Sequence, residues 1–168
     1  MTGEVVLRGV TEADLPIFFE HQRDAAANRM ADFPARDREA FMAHWTKIAG
    51  DPTNITKTIV FGEHVAGNVV CWGPSDDRAV GYWIGREYWG KGVATRALAS
   101  FLRLVKTRPL YAHVAKNNVA SVRVLQKCGF TISGTAKVIS SASGRDVEEL
   151  ILKLNERVVP SDGEGASA

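Results

Sequence analysis

The segment Ala79 to Ala97, AVGYWIGREYWGKGVATRA, runs an apolar stretch into a glycine turn and then into a helical pattern. In outline this order of residues makes an anion site. The first turn of a helix has backbone N–H groups with no internal partner and a partial positive charge. Gly90 and Gly92 allow a bulky diphosphate to approach that backbone closely. A purely structural turn needs neither both glycines nor a following helix without a side-chain cap. Two phosphate motifs fit poorly. A P-loop, G-x-x-x-x-G-K-[ST], matches from Gly85 to Lys91, but Gly92 stands where the magnesium-binding hydroxyl belongs. A dinucleotide fingerprint, G-x-G-x-x-G, finds Thr95 in place of its third glycine, and the strands before it form a meander rather than a βαβ unit.

Other candidates are weaker by residue type. Asn118 opens a later helix, where Asn is both a good cap and a good ligand donor. Ser121 lies inside that helix, where serines commonly bond their own backbone. Trp83 and Trp89 suit packing or the rim of a cleft. Cys71 and Cys128 are isolated thiols with no CxxC and no clustered His, so neither a zinc site nor a disulfide framework is signalled. Cys128 has no neighbouring base to make it a thiolate and is expected to be buried and inert. His44 falls on the stripe Phe41, Trp45 and Ile48, and packs.

The elements that must hold these residues follow from periodicity and punctuation. Val5 to Arg8 reads as a strand. Thr11-Glu12-Ala13-Asp14 offers a capping box, or Asp14 a cap with Pro16 in the first turn, for a helix to Arg23. Asp24 to Arg36 lacks periodicity and is expected to be a loop. Asp37 to Ala49 is a helix stopped by Gly50. Ile55 to Phe61, Val65 to Trp72 and Ala79 to Gly85 alternate as strands separated by turn residues, an antiparallel meander. Gly92 to Lys106 is a helix with Ala94, Ala97, Leu98, Phe101 and Val105 on one face. A strand from Pro109 to Val114 leads to a helix, Asn118 to Lys127, with Asn117 or Asn118 as its cap and Gly129 as its left-handed stop. Phe130 to Ile139 and Val147 to Leu154 close a hairpin around Ser143-Gly144-Arg145. This order predicts an α+β sandwich, a mixed sheet of about seven strands with helices on both faces.

A chain of 168 residues is one domain's worth, here 1–155, with a small, polar tail over 156–168 expected to be disordered. Its 21 Lys and Arg against 19 Asp and Glu leave a formal charge of +2, with no basic run for nucleic acid or a membrane surface. No continuous apolar segment suggests a signal peptide or a membrane span. A cytoplasmic protein is expected.

With those elements in place, Trp89-Gly90-Lys91-Gly92-Val93-Ala94 resembles the pyrophosphate loop R/Q-x-x-G-x-G/A of the GNAT family of acyl-CoA-dependent N-acetyltransferases. Trp89 replaces the usual Arg or Gln. Gly81 to Ile84 followed by Tyr88 to Gly92, GYWI then YWGKG, is similar to the RimJ/RimL-like branch. Asn118 with Ser121, then Lys127-Cys128-Gly129-Phe130, resembles a second block of the family, and in element order the likeness spans Val5 to Leu154.

The resemblance implies acetyl-CoA as co-substrate, no metal, and direct attack of an amine on the thioester in a ternary complex. It implies that the strand Ala79 to Gly85 splays from Pro109 to Val114 and that pantetheine pairs with backbone at Trp83, Ile84 and Gly85. One N–H there would act as an oxyanion donor. It further implies that backbone of Trp89, Gly90, Lys91, Gly92, Val93, Ala94 and Thr95 holds the pyrophosphate, with Lys91, Arg86 or Arg96 supplying positive charge. Asn118 would bond the pantetheine arm, and Ser121 would partner the leaving sulfur. Leu125 stands where many members carry a proton-donating Tyr, and Ser140 where the branch carries an acid, so no general base is assigned. Asp76, Asp77, Glu63 and His64 lie in turns by the central strands, and Asp24, Asp32 and His21 lie beside the family's acceptor loop. The acceptor is a primary amine, either a protein N-terminus or a small molecule, read out by Asp24 to Arg36 and by the hairpin Ala136 to Val147. Ser140, Ser141 and Ser143 make that hairpin acid-poor, which argues against a polyamine. A family-like homodimer is compatible with the pattern. The competing readings are a CoA-binding regulatory module without catalysis and a P-loop-like nucleotide binder.

Overall fold

The computed structural model describes residues 3–31, 34–139 and 144–155. Expectations made for Asp32, for Ser140, Ser141 and Ser143, and for the tail 156–168 lie outside the described residues.

The chain opens with β1 (Val5–Arg8) and a single 3-10 turn over Glu12–Asp14, which runs into α1 (Leu15–Gln22) with Pro16 in its first turn. The capping expectation resolves into a buried network. The Asp14 carboxylate accepts from the Thr11 N–H at 2.9 Å and from the Thr58 hydroxyl at 2.7 Å, and Arg8 grips it with both Nη atoms at 2.7 and 2.8 Å. One 2%-exposed carboxylate thus ties the first strand, the first helix and β2 (Ile55–Phe61) together.

The expected loop from Asp24 to Arg36 contains a helix, α2 (Ala25–Ala31). Asp24 accepts from the Ala26 and Ala27 N–H groups at 2.8 and 3.2 Å, and alanines, the best helix formers, follow it. A cap followed by an alanine run suffices locally where no amphipathic period advertises the helix. Next, α3 (Arg38–Gly50) is capped by Asp37, which accepts from Ala40 N–H at 2.8 Å; the helix runs through Gly50 instead of stopping before it. His44 is half-buried on it, between the buried Phe41 and Trp45.

The remaining elements are β3 (His64–Trp72), β4 (Arg78–Ile84), α4 (Val93–Leu104), β5 (Leu110–Ala115), α5 (Val119–Lys127), β6 (Thr131–Ile139) and β7 (Asp146–Leu154). They form one seven-stranded sheet in the order β1-β2-β3-β4-β5-β7-β6. Every neighbouring pair is antiparallel except β4 with β5, so the sheet is mixed, as expected. Side chains alternate across it. Val69 and Cys71 join a core cluster with Leu98 and Phe101 of α4 and Leu125 of α5, while Val70 packs on a second cluster built from Phe18 and Phe19 of α1 and Phe41 and Trp45 of α3. Helices therefore cover both faces. Among the described residues, no helix is long and apolar enough to cross a membrane.

Candidate active site

The sheet fails to close at its one parallel junction. β4 pairs with β5 only at Arg78↔Leu110 and Ala79↔Tyr111, although β4 continues to Ile84 and β5 to Ala115. On its other edge β4 stays in register with β3 as far as Gly67↔Ile84. The backbone from Val80 to Ile84 is thus ordered by β3 and unpaired towards β5. A cavity of about 510 Å³ opens there, within the range of small-molecule sites, roughly 300–1,000 Å³.

Beyond Ile84 the chain turns sharply. Gly85 donates to the Ala66 carbonyl at 2.8 Å, the single 3-10 turn Arg86–Tyr88 follows, and the Trp89 indole N–H returns to the Ile84 carbonyl at 2.9 Å. Trp89 thereby pins the loop to the strand end while also lining the cavity. Gly90 and Gly92 adopt φ of 75° and 74°, a left-handed conformation that strains a side-chain-bearing residue. Gly92 caps α4 without a side chain, and the first helical bond runs from Arg96 N–H to the Gly92 carbonyl at 3.1 Å. The amides of Val93, Ala94 and Thr95 are those of the open first turn, and all three residues line the cavity.

The far wall belongs to α5. Asn118 caps it, its Oδ1 accepting from Ser121 N–H at 3.3 Å, which leaves the Nδ2 donor for the cavity that both residues line. Arg123 and Lys127 line it too. The third wall is α2, through Ala27, Met30 and Ala31, opposite Trp83, whose indole donates to the His21 carbonyl at 3.2 Å. Ser121 Oγ lies 2.8 Å from the hydroxyl of Tyr82 on β4. Burial pushes the Tyr82 phenol up to about 12, only partly offset by the Ser121 hydrogen bond.

Of the residues expected at the site, Trp83, Ile84, Trp89, Gly90, Gly92, Val93, Ala94, Thr95, Asn118 and Ser121 line this cavity. Gly85 and Lys91 do not. Gly85 is buried against His21, and Lys91 faces a separate hollow beside Phe61 and Tyr88. The expected phosphate cations are differently engaged. Arg96 donates to the Gly3 and Lys91 carbonyls, each at 3.0 Å, and its guanidinium lies 5.6 Å over the Phe61 ring, which makes it a strut of the loop. Arg86 pairs with Asp24 at 3.6 Å. The cavity's cations are Arg123 and Lys127, which sequence reasoning missed although Ala120, Arg123, Val124 and Lys127 share one helix face at i, i+3, i+4 and i+7. Tyr82 was also missed, since nothing local indicates what its hydroxyl meets.

The candidate bases are dispersed. Asp76 and Asp77 sit in the turn before β4, at the opposite end of that strand from Ile84, and Glu63 and His64 sit at the β2–β3 turn. Asp24 caps α2, and its backbone hydrogen bonds hold its carboxyl below the ordinary carboxylate value. His21 is buried, its Nδ1 has no hydrogen-bond partner among the described residues, and burial lowers its pKa, so it is neutral at neutral pH. Leu125 is 1% exposed, in the core and away from the cavity. Cys128 is half-buried rather than buried, its thiol pushed up by burial and 3.6 Å from the Thr95 carbonyl. Among the described residues, no cluster of His, Cys, Asp or Glu is placed to hold a metal.

An open strand edge, the free amides of a glycine-shaped helix start and two cations thus share one cavity. The model of the acetyltransferase (GNAT) domain matches residues 4–131, from before β1 into β6. The chain belongs to this family. No curated protein sequence matches it. Solved structures resemble this GNAT domain closely in fold at low identity. Spermidine N-acetyltransferase from Vibrio cholerae, in complex with CoA and spermine, is 17% identical with a TM-score of 0.79, covering 90% of this chain and 95% of that one. Ribosomal-protein-alanine N-acetyltransferase from Brucella melitensis is 20% identical with a TM-score of 0.72, covering 89% and 99%. A microcin C7 self-immunity acetyltransferase, in complex with acetyl-CoA and AMP, is 16% identical with a TM-score of 0.75, covering 90% and 92%.

Proposed function

We propose that this GNAT domain transfers acetyl from acetyl-CoA to a primary amine. The observation that carries the reading is the end of β4–β5 pairing at Ala79, which leaves the cavity-side edge of β4 as far as Ile84 unpaired by β5. Acetyl-CoA supplies the activated thioester. Backbone of Trp83 and Ile84 pairs with the pantetheine amides as a missing strand would, and an N–H there faces the carbonyl oxygen on which charge grows. The first-turn amides of α4 and the Gly90 and Gly92 backbone bind the pyrophosphate, Arg123 and Lys127 balance its charge, and Asn118 Nδ2 bonds the pantetheine arm. Ser121 donates a hydrogen bond to the leaving sulfur.

The acceptor enters beside α2, where Ala27, Met30 and Ala31 line the cavity together with Trp83. That apolar wall supports an amine borne on an uncharged body, such as a protein N-terminus in the manner of the RimJ/RimL-like branch, over a polyamine.

Thermal unfolding with acetyl-CoA, CoA, or ATP with magnesium tests the cofactor, because a ligand at 100 times its Kd adds about 2.7 kcal/mol to stability. Stabilisation by acetyl-CoA and CoA is expected. No shift, or one seen with ATP alone, overturns the assignment. Thiol release from acetyl-CoA in the presence of Ala- or Ser-initiated peptides, small amines and spermidine then separates transfer from mere binding. Peptides or small monoamines outrunning spermidine is the expected order.

A further inference from the structure

Tyr82 and Ser121 come from different layers, one from the unpaired end of β4 and one from the first turns of α5, and their hydroxyls meet at 2.8 Å. The pair lies at the cavity wall. Ser121 is the third residue of α5, and the carbonyl four residues earlier, Asn117, lies outside the helix and accepts from Val119 N–H at 2.9 Å, so the usual serine back-bond is not offered here. Among the described residues Ser121 Oγ bonds Tyr82 instead. The Tyr82 ring packs against the larger core cluster, and its hydroxyl hydrogen must find an acceptor to be tolerated there. Ser121 Oγ is that acceptor. A phenol is the more acidic, and so the stronger, donor of the two, and burial keeps it protonated throughout the physiological range. With the Tyr82 hydrogen spent on Ser121, the Ser121 hydrogen is left over, and the side on which it can be used is the cavity.

We propose that Tyr82 is a positioning residue, whose O–H, donated to Ser121 Oγ at 2.8 Å, turns the Ser121 hydroxyl hydrogen into the cleft as a pre-aimed donor to the leaving sulfur. This rests on the acetyl-transfer reading above. As the N–C bond forms and the C–S bond breaks, the bonding pair passes to sulfur and Ser121 O–H stabilises it by a hydrogen bond. Neither hydroxyl is consumed, and the proton that ends on sulfur is the one given up by the amine nitrogen. Freed from Tyr82, the Ser121 hydroxyl can rotate among its staggered positions, and the donor is aimed into the cleft for only part of the time.

The test is a double-mutant cycle on the full chain: wild type, Tyr82→Phe, Ser121→Ala and the double variant. Thiol release is followed with acetyl-CoA and whichever peptide or small amine the wild type uses fastest. Thermal unfolding and the KM for acetyl-CoA are measured alongside. Ser121→Ala is expected to lower kcat by about 10- to 100-fold. Tyr82→Phe should lower it by about three- to tenfold, the worth of one hydrogen bond, with KM for acetyl-CoA unchanged. In the Ser121→Ala background Tyr82→Phe should cost nothing further, which a merely structural role for the ring would not produce. Wild-type rates in Tyr82→Phe, independent losses, or a larger loss in Tyr82→Phe than in Ser121→Ala overturn the positioning role while the transfer reading stands. No thiol release by the wild type with any acceptor overturns both.

Discussion

The imidazole of His21 rests so closely on Gly85 that a Cβ added there would lie 2.7 Å from both Cδ2 and Nε2 of the ring. Gly85 is the hinge between the open strand edge of β4 and the glycine loop before α4, and the His21 ring of α1 packs directly on it.

Gly85→Ala is therefore expected to lower stability by about 1–3 kcal/mol, the usual cost of overpacking a filled site. It should also weaken acetyl-CoA binding by moving the loop. Combining it with His21→Ala, which empties the clashing position, should recover part of the loss; denaturant unfolding of the two single variants and the double variant measures the coupling. Additive losses would mean that the imidazole does not set the hinge.

Gly92 poses a different constraint. A Cβ there meets nothing nearer than Arg96 Nε at 3.9 Å, yet φ is 74°. Gly92→Ala should cost about 1–2 kcal/mol of backbone strain and little affinity. Gly92→Glu carries the same strain and adds a carboxylate where the proposed function puts the pyrophosphate, so calorimetry should detect no acetyl-CoA binding to a protein that still unfolds cooperatively. Retained binding by Gly92→Glu would remove the loop from the cofactor site.

Arg123 and Lys127 are exposed on the cavity wall, whereas Arg96 is bonded into the loop. Arg123→Gln and Lys127→Gln are each expected to raise the acetyl-CoA Kd by about two- to fivefold, an effect that shrinks as added salt screens it. Arg96→Gln should instead lower the unfolding temperature, because the Gly3 and Lys91 carbonyls lose their donor. Titrations at low and high ionic strength, with melting curves, separate the two behaviours. Equal salt-dependent losses for all three would contradict this division.

Asp14 governs acid stability. Burial alone would raise its carboxyl, but hydrogen bonds from Arg8, the Thr11 N–H and Thr58, with the Arg8 charge, outweigh burial and hold it well below the usual value. A depressed folded-state pKa contributes stability that is complete above the unfolded value, about pH 4, and is lost as pH falls through the folded value. The wild-type unfolding temperature should fall below about pH 4. Asp14→Asn should lose about 2–3 kcal/mol at neutral pH and show a flatter acid limb. An acid limb of wild-type steepness in the variant would assign the effect to other carboxylates.

Legibility differed between residues for physical reasons. The three-strand meander and the helix start at Asn117 and Asn118 were readable because each is signalled within a few residues. The glycine turn before α4 was readable too, its left-handed φ angles being seen only in the structure. Helix α2 was not, because its cap and alanines carry no amphipathic period. The cations that line the cavity were not foreseen for a related reason. Arg96 stands next to the glycine loop in sequence, but in space the Gly3 carbonyl and the Phe61 ring claim it.

By itself the sequence determined the order of elements, the glycine-shaped start of α4 and the family blocks, since backbone preference and helix-end chemistry act over a few residues. Only the tertiary structure decided where β4 leaves β5, that Arg123 and Lys127 face the resulting cavity, and that Tyr82 meets Ser121 across 39 residues of chain. Each of these depends on how elements from distant parts of the chain settle against a shared sheet, and no local propensity encodes that placement.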